Sequence, residues 1–303
     1  MDSIDKKILW ELDADCRITY EKLGQKLGIT ANAVRKRVEG LIEDGVIVRF
    51  MILPHNALIS ADFISILVMT DGSEEQTDFI QAIGKHPVIH HVSPVVTIEG
   101  GAYHLFGQYS SIEMLSDLGQ FLRGLETVKA VKQYPVLFPR GDKKELSKFE
   151  LRVLACLIDN PRMTISELAR CSKLTTRKTS RVLKQIQEGG AVRFTVRWDV
   201  NAGGNTSFWI IVNWDQKKMS HEKLIQEFEK SFPNEYWTSF VTATEPVIFV
   251  RFVVDNLRKV NQITEDVKNM SFVESIQTIV CYSSADFSWL GESLLRDMIS
   301  NAM

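Results

Sequence analysis

The amino-acid sequence predicts an α+β fold with two winged helix-turn-helix domains and two ferredoxin-like βαββαβ domains, arranged as an intramolecular pseudo-dimer. Three observations predict this fold. The chain repeats itself at a shift of 145 residues, each repeat opens with three short helical patterns, and each repeat closes with strands and helices in the order βαββαβ. With 45% apolar and 24% charged residues, the 303-residue chain has the composition of an ordered globular protein.

The internal repeat divides the chain into domains. Without a gap, residues 1–50 align with residues 146–195, so that Arg17 falls on Arg162 and Gly45 falls on Gly190. This alignment predicts a helix-turn-helix domain, a sheet domain, a second domain of each kind and a C-terminal helix. Their predicted ranges, in that order, are 1–52, 57–140, 145–198, 204–285 and 286–303.

Capping residues and apolar spacing predict the first helix-turn-helix. Thr19 is placed to cap a helix over 20–27, and Gly28 follows where a helix ends in a left-handed residue. Thr30 is placed to cap the next helix, over 31–44, and the β-branched run after Gly45 predicts a strand. A supporting helix precedes them, with apolar residues at helical spacing: Ile4, Ile8, Leu9 and Leu12.

The second helix-turn-helix follows the same pattern with two differences. Thr164 and Glu167 have the spacing of a capping box. Lys173 stands where the first copy has Gly28, so the sequence predicts a slightly different turn at this point.

Each sheet domain alternates strand and helix patterns. In the first copy the predicted segments are 63–69, 74–85, 88–98, 103–109, 112–124 and 128–137. In the second copy they are 207–214, 222–232, 237–243, 247–254, 257–269 and 273–282. Both helices of a βαββαβ unit cover one face of its sheet, so we expect the two copies to bury their other faces against each other. The apolar residues of the tail predict a docked amphipathic helix: Leu290, Leu294, Leu295 and Met298.

Charge is distributed unevenly although the net charge is only −2. Residues 1–50 are neutral, residues 51–144 carry −3, residues 145–197 carry +6 and residues 198–303 carry −5. A positive surface combined with acidic domains elsewhere is typical of a protein that neutralises phosphates on one surface and avoids non-specific binding elsewhere.

The second helix of each helix-turn-helix carries the candidate base-reading side chains. Its amino-terminal half enters the major groove in this motif, where Arg reads guanine, Asn reads adenine and Lys more often meets phosphate. In the first copy the candidates are Asn32, Arg35 and Lys36. In the second copy they are Thr176, Arg177, Lys178, Ser180, Arg181 and Lys184. A solvated basic face is the alternative interpretation.

These residues carry a resemblance to a known family. Residues 1–50 resemble the DNA-binding domain of Lrp/AsnC transcription regulators, and the βαββαβ unit resembles the sensing domain of that family. The matching runs are Ile4-Asp5-Lys6-Lys7-Ile8-Leu9, Arg17-Ile18-Thr19, Leu23-Gly24, Leu27-Gly28-Ile29-Thr30, Arg37 and Gly45-Val46-Ile47. The resemblance implies a cytoplasmic regulator that binds double-stranded DNA as a tandem, self-paired chain and reads an asymmetric operator of two half-sites. Assembly into a higher homo-oligomer stays open.

The resemblance also implies a loop for a small-molecule effector at the junction of the sheet domains. Here the loop is predicted at Gly100, Gly101 and Tyr103, and it lacks the aspartate that could meet an α-amino group. The second copy has Glu245 and Pro246 at the corresponding place and neither glycine. The other interpretation of Gly100 and Gly101, which we favour, is a simple hairpin turn.

Cysteine and histidine residues give no metal or disulfide signature. Cys16, Cys156, Cys171 and Cys281 are far apart and include no Cys-x-x-Cys pair, so we expect buried thiols. The remaining candidates for metal ligands are His86, His90, His91 and His104. Adjacent strand residues point to opposite faces, so His90 and His91 do not suit one site. We therefore expect no metal and no cofactor.

Enzyme and membrane functions lack sequence support. The chain has no glycine-rich phosphate loop, no serine elbow, no His-Glu-x-x-His motif and no apolar run of about 18 residues. We therefore expect no enzymatic activity and no membrane partner. Two alternatives are a tetrapyrrole enzyme similar to siroheme decarboxylases, which share the two-domain plan, and a protein-interaction module with degenerate DNA-binding heads. The basic cluster around Arg177 would have no purpose in such an enzyme.

Overall fold

The computed structural model describes residues 1–96, 101–141 and 145–302, and it consists of two compact units. The head unit contains both helix-turn-helix segments and most of the C-terminal helix, with the ranges Met1–Ser60, Pro139–Gly203 and Gly291–Met303. The sheet unit contains both βαββαβ segments, with the ranges Ala61–Phe138 and Gly204–Leu290.

The elements follow the predicted order. The first repeat comprises α1 (Ser3–Ala14), α2 (Tyr20–Leu27), α3 (Ala31–Glu43), β1 (Ile47–Pro54), α4 (Asn56–Ile59), β2 (Asp62–Thr70), α5 (Gln76–Gly84), β3 (Ile89–Val96), β4 (Ala102–Tyr109), α6 (Ile112–Arg123) and β5 (Val128–Leu137). The second repeat comprises α7 (Lys148–Leu157), α8 (Ile165–Ser172), α9 (Thr176–Glu188), β6 (Val192–Trp198), β7 (Thr206–Trp214), α10 (His221–Ser231), β8 (Tyr236–Thr242), β9 (Val247–Val254), α11 (Leu257–Lys268), β10 (Val273–Cys281), β11 (Ala285–Asp286) and α12 (Leu290–Ala302). The predicted third strand of the first sheet domain extended to residue 98, and its last two residues lie outside the described ranges.

The first head, defined as α1 to α3, forms as its caps predict. The Thr19 hydroxyl accepts a hydrogen bond from the backbone N–H of Lys22 at 3.2 Å, and Thr30 accepts one from Ala33 at 3.2 Å. Gly28 ends α2 with φ of 70°, the left-handed conformation that glycine adopts without steric cost. The predicted helix positions of this head are thus confirmed to within one residue.

The second head, defined as α7 to α9, corrects one prediction. The Thr164–Glu167 capping box is present. The turn, however, does not differ from that of the first head, because Lys173 itself adopts φ of 51° and ψ of 38°. The physical reason is that the same backbone hydrogen bond closes both turns: Leu174 N–H to Ala169 O here, at 3.1 Å, and Ile29 N–H to Gly24 O in the first head, at 3.0 Å.

A two-stranded ribbon joins the two heads within the head unit. Strands β1 and β6 pair antiparallel, with Ile52 opposite Phe194 and Met51 opposite Thr195. The core of the second head includes Leu295 and Ile299 from α12, which confirms the docked amphipathic tail helix. Pairing of one head with the other through this ribbon is the arrangement expected of a pseudo-dimer.

The sheet unit pairs its two copies in the same way. One four-stranded sheet has the order β3-β4-β2-β5 and the other has the order β8-β9-β7-β10. Their edges meet twice: β5 pairs with β8 through Val136 and Thr242, and β10 pairs with β3 through Val280 and Val96. Eight strands therefore close into a ring.

Each sheet has an apolar core under its helices, and a third core fills the space between the sheets. Leu67, Tyr134, Trp209, Phe249 and Ile279 belong to that third cluster and are buried. The prediction that the two copies bury their second faces against each other is confirmed, because an apolar sheet face is seldom stable in water.

Candidate nucleic-acid interface

Helix α3 of the first head exposes its three candidate residues. Val34, Val38 and Leu41 lie on its buried face and anchor it in the head. The opposite face carries the exposed side chains of Asn32, Arg35 and Lys36. The guanidinium of Arg35 lies 5.9 Å from the ring centroid of Tyr20 on α2. A polar, cationic face is thus rigidly presented by a capped helix.

Helix α9 of the second head exposes five of its six candidates. Its buried face consists of Thr179, Val182, Leu183 and Ile186. The exposed side chains are Thr176, Arg177, Ser180, Arg181 and Lys184.

Two of the α9 lysines have local partners. The Lys178 ammonium lies 3.2 Å from the ring centroid of Phe149 on α7, so this side chain is half-buried and held by a cation–π contact. Lys184 lies 3.6 Å from Glu188 Oε1, and this exposed ion pair reduces its charge toward solvent. Arg177 and Arg181 therefore remain the strongest candidates on this helix.

An arginine in α3 that points away from the candidate face has a structural role. Arg37 donates hydrogen bonds to Asp2 at 2.8 Å and to Asp5 at 2.7 Å, and these bonds raise its pKa. Asp2 also caps α1 in a capping box with Asp5. Arg37 thus ties α3 to α1 and is not available for DNA.

Equivalent arginines connect the two heads by different contacts. Arg17 reaches from the first head and donates to the backbone carbonyls of Pro161 and Met163, the latter at 2.8 Å. Arg162, its repeat equivalent, instead lies between two aromatic rings of the first repeat, 4.8 Å from the centroid of Tyr20 and 4.9 Å from that of Phe50. These contacts fix the heads in one body, and sequence reasoning missed both roles.

The predicted effector loop is only partly visible. Gly100 lies outside the described residues. Gly101 is tightly packed, because a Cβ there would lie 2.2 Å from Glu74 Oε1 and 2.3 Å from Thr70 Oγ1. Tyr103 is buried, and its hydroxyl donates to Glu74 Oε1 at 2.9 Å; burial, followed by this hydrogen bond, raises the pKa of Tyr103.

Glu74 supplies a carboxylate that sequence reasoning missed. Its Oε1 also accepts a hydrogen bond from Thr70 at 2.7 Å. Its Oε2 is buried and has no hydrogen-bond partner within the described ranges. The available signal was the position of Glu74 four residues after Thr70, just beyond the end of β2.

The corresponding place in the second copy is open. A cavity of ≈ 420 Å³ is lined there by Glu245 and Pro246, by the neighbouring loop residues Thr242 and Thr244, and by His221 at the start of α10. Among the described residues the two copies thus differ: Glu74 packs closely against Gly101 and Tyr103 in the first, whereas a cavity lies beside Glu245 in the second.

The histidines have protein partners. His86 lies 3.2 Å from Asp117, and His91 lies 2.8 Å from Asp286 and 3.0 Å from Ser93. His90 stacks on Trp289, and His104 lies 2.8 Å from Ser65. Across residues 1–96, 101–141 and 145–302, no three His, Cys, Asp or Glu side chains converge as a metal site would require.

The cysteines contradict the expectation of four buried thiols. Cys156 and Cys171 form a disulfide between α7 and α8. Although they are 15 positions apart in the sequence, packing of these helices brings their Cα atoms to 6.1 Å, within the range of a disulfide. Cys16 and Cys281 are free and buried, as predicted.

Comparison with known proteins first defines the class. Residues 1–42 match the AsnC-type helix-turn-helix domain, and residues 146–193 match a winged helix-turn-helix DNA-binding domain. The predicted resemblance to Lrp/AsnC regulators and the tandem duplication are confirmed, because a helix-turn-helix domain is matched at the start of each repeat.

Two transcriptional regulators are similar to parts of this chain in sequence. An uncharacterized HTH-type transcriptional regulator of Pyrococcus abyssi is 32% identical over 95 residues, which are 30% of this chain and 63% of that protein. The HTH-type transcriptional regulator LrpA of Bacillus subtilis is 51% identical over 47 residues, which are 16% of this chain and 35% of that protein. The chain thus spans less than two thirds of the length of these relatives.

A solved structure matches the whole chain. The siroheme decarboxylase NirDL is 16% identical with a TM-score of 0.55, and the match covers 98% of this chain and 99% of that chain. At this identity the likeness concerns the fold alone, and together with the two domain matches it confirms the predicted fold class. Among the helices described, none is long and apolar enough to span a bilayer.

Proposed function

We propose that this chain is a sequence-specific, double-stranded DNA-binding transcription regulator of Lrp/AsnC type that reads two half-sites of different sequence. The observation that carries the proposal is the pair of capped helices, α3 and α9, whose exposed residues differ at equivalent positions. Asn32, Arg35 and Lys36 correspond to Arg177, Ser180 and Arg181 under the repeat.

Base chemistry predicts a different preference for each head. Asn can pair with adenine through two hydrogen bonds, whereas Arg pairs with guanine in the same way. Asn32 and Arg177 occupy equivalent positions, so the two half-sites should differ at the base pair that they contact. Residues 145–197 carry a charge of +6 and residues 1–50 are neutral, which supports tighter phosphate contact by the second head than by the first.

The experiment is a selection of bound duplexes from a random library at two salt concentrations. We expect two unequal half-sites, about 34–36 Å apart along the duplex. Recovery of perfect palindromes would contradict the asymmetry. Absence of salt-sensitive DNA affinity would favour one of the two alternatives, a tetrapyrrole enzyme or a protein-interaction module.

A matched variant sharpens this selection. Changing Arg177→Asn, Ser180→Arg and Arg181→Lys gives α9 the exposed residues of α3 at these positions. These side chains are exposed, so the fold should persist. The variant should select a more palindromic site than the natural chain, because its two heads then carry the same residues at these three positions.

We also propose a small-molecule effector in the sheet unit, at the cavity beside Glu245. Carboxylate, imidazole and hydroxyl groups line this cavity beside apolar side chains such as Trp214 and Met219, so a small ligand with both a cationic group and an apolar part suits it. A panel of the common amino acids, tested by calorimetry against the natural chain, Glu245→Gln and Glu74→Gln, would identify such a ligand. Loss of binding in Glu245→Gln alone would place it in the open cavity.

A tetrapyrrole enzyme is the second candidate, favoured by ionisable groups inside the ring of strands. Burial lowers the pKa of His104 to about 3. Arg251 donates to Ser207 at 2.9 Å and lies 5.4 Å from the ring centroid of Trp209. The structure of NirDL with the same fold is also known with an iron-uroporphyrin III analogue. Titration with iron-uroporphyrin III should leave its absorbance unchanged if the chain is a regulator.

The proposed role places the chain in the cytoplasm, where it would meet DNA. Assembly of several chains stays a prediction, to be measured by sedimentation with and without DNA. Both sheets of the ring have their outer edges partly paired, which leaves less free edge for such contacts than two separate sheets would.

A further inference from the structure

In both heads the first two helices are linked at equivalent positions, by a disulfide in the second head and by an ion pair in the first. In the second head, the disulfide joins Cys156 on α7 to Cys171 on α8. The 145-residue repeat maps these positions onto Glu11 on α1 and Lys26 on α2. Glu11 and Lys26 form an ion pair in the first head. An ion pair does not respond to thiol reagents, whereas a disulfide does.

We propose that Cys156 and Cys171 are a thiol–disulfide exchange site whose redox state sets the mobility of the second recognition helix, α9, and through it the DNA affinity of the second head. The effect on affinity rests on the proposed function. A DNA-binding protein works in a compartment where most disulfides are transient and redox-sensing rather than structural.

The two sulfurs differ in accessibility, which sets the direction of attack. Cys171 is exposed, whereas Cys156 is half-buried. Arg170 and Lys173, on either side of Cys171, are exposed cations that attract an incoming thiolate. The other two cysteines are buried, and burial raises the pKa of Cys16 to about 12 and that of Cys281 to about 11, so both stay protonated and unreactive at neutral pH.

The co-reactant is a dithiol, either a small molecule or a protein. One of its thiolates attacks the Cys171 sulfur, forms a mixed disulfide and releases Cys156 as a thiolate, which takes up a proton. The second thiolate of the dithiol then attacks the mixed disulfide and releases Cys171, which is protonated in turn. The protein disulfide is reduced to two thiols while the dithiol is oxidised to a disulfide, so atoms and electrons balance.

The position of the crosslink explains why opening it should reach the DNA surface. Cys171 lies in the last turn of α8, and α9 begins only five residues later, at Thr176. Reduction leaves the apolar core of the head in place, including Val153, Leu168 and Val182, so the head stays folded. It frees the end of α8 and the turn that positions the amino terminus of α9.

The test compares DNA affinity with the bond closed and open. With the selected site, reduction by dithiothreitol should weaken binding about tenfold, because only a fraction of reduced molecules holds α9 in the binding position. The control is Cys156→Glu with Cys171→Lys, which installs the ion pair of the first head. Its affinity should not change with dithiothreitol. Adding Glu11→Cys and Lys26→Cys to that control places a disulfide in the first head instead. Dithiothreitol should then weaken binding to the first half-site.

A second measurement is independent of DNA. Alkylation of the native chain should label no cysteine in an oxidised dithiol buffer and two, Cys156 and Cys171, after reduction. Hydrogen exchange between residues 170 and 178 should then become faster. The proposal is overturned if both cysteines stay alkylatable in the oxidised buffer, or if the bond opens without changing exchange or affinity. A chain that binds no DNA in either state would refute the proposed function and the affinity effect, while alkylation and exchange would still decide the exchange site.

Discussion

The two heads have one fold, but different residues hold that fold together and different side chains are exposed on their second helix-turn-helix helices. The first head belongs to a neutral segment, residues 1–50, ties its helices with the Glu11–Lys26 ion pair and exposes Asn32 on α3. The second belongs to a segment of charge +6, ties its helices with a disulfide and exposes Arg177 at the equivalent place. In a homodimer every substitution changes both heads at once. A duplicated chain can change one head alone, and the difference between the heads is where its specificity is expected.

The largest expected effect tests whether the second head reads bases. Replacing Arg177 and Arg181 with Ala should weaken DNA binding by about 1–3 kcal/mol for each arginine that contacts a base edge. The measurement is a titration of the selected duplex at fixed salt. Asn32→Ala with Lys36→Ala makes the matching change in the first head, because these residues stand opposite Arg177 and Arg181 in the repeat.

The control for this prediction is Lys223→Ala, which removes an exposed cation from the sheet unit. It should leave affinity nearly unchanged. An unchanged affinity in the Arg177 and Arg181 variant would show instead that the second head is a scaffold, and the comparison between heads would lose its functional meaning.

The next effect concerns stability and the two equivalent arginines between the heads. Arg17→Ala leaves two backbone carbonyls without their charged donor and should cost about 1.5–3 kcal/mol of unfolding free energy. Arg162→Ala removes stacking on Tyr20 and Phe50 and should cost less, about 0.5–2 kcal/mol. Urea unfolding followed by circular dichroism measures both values.

A conservative change separates geometry from charge at these positions. Arg17→Lys keeps the cation but loses the planar fork that reaches both carbonyls, so it should recover only part of the loss. Equal losses of unfolding free energy in Arg17→Ala and Arg162→Ala would contradict this prediction. They would mean that the two arginines contribute equally to stability although their contacts differ.

How much could be predicted from sequence depended on the range of the interaction. The caps at Thr19, Thr30 and Thr164 act within three residues, so the helices that they begin could be placed from the sequence. The left-handed turn at Lys173 could not, because local preference opposes it and a backbone hydrogen bond enforces it. The disulfide and the Glu74–Tyr103 contact depend on how helices and strands pack, and sequence spacing does not contain that information.

A smaller effect distinguishes the caps of the two heads. Thr164 caps α8 reciprocally with Glu167, whereas Thr19 caps α2 alone because Lys22 stands at the corresponding position. Thr164→Ala should destabilise the chain by about 1 kcal/mol and Thr19→Ala by somewhat less. Thermal unfolding of the two variants gives the order, and a larger loss in Thr19→Ala would contradict it.

The same cap predicts a pH dependence. The hydrogen bond from the Thr164 hydroxyl, followed by that from its backbone N–H, lowers the pKa of Glu167. A carboxyl group whose pKa is lower in the folded state stabilises the fold above its unfolded pKa, near 4.3, and that stabilisation is lost as the pH falls through the folded value. Thr164→Ala should therefore lose less stability than the natural chain between pH 6 and pH 3.

The smallest expected effect is that of Lys173→Gly, which should raise the stability of the chain slightly and lower its affinity for DNA. Lys173→Gly removes the cost of holding a residue with a side chain in the left-handed conformation, about 1 kcal/mol. Against this, glycine has more freedom in the unfolded chain, which destabilises the folded state by about 0.4–1 kcal/mol. Stability should therefore rise by a few tenths of a kcal/mol at most.

If the Lys173 ammonium meets a phosphate beside α9, DNA affinity should fall uniformly across sequences, and the dependence of affinity on salt should drop by about one phosphate contact. Gly28→Lys should do the reverse in the first head. A gain in stability with no change in salt dependence would mean that the lysine occupies a strained turn without serving DNA binding.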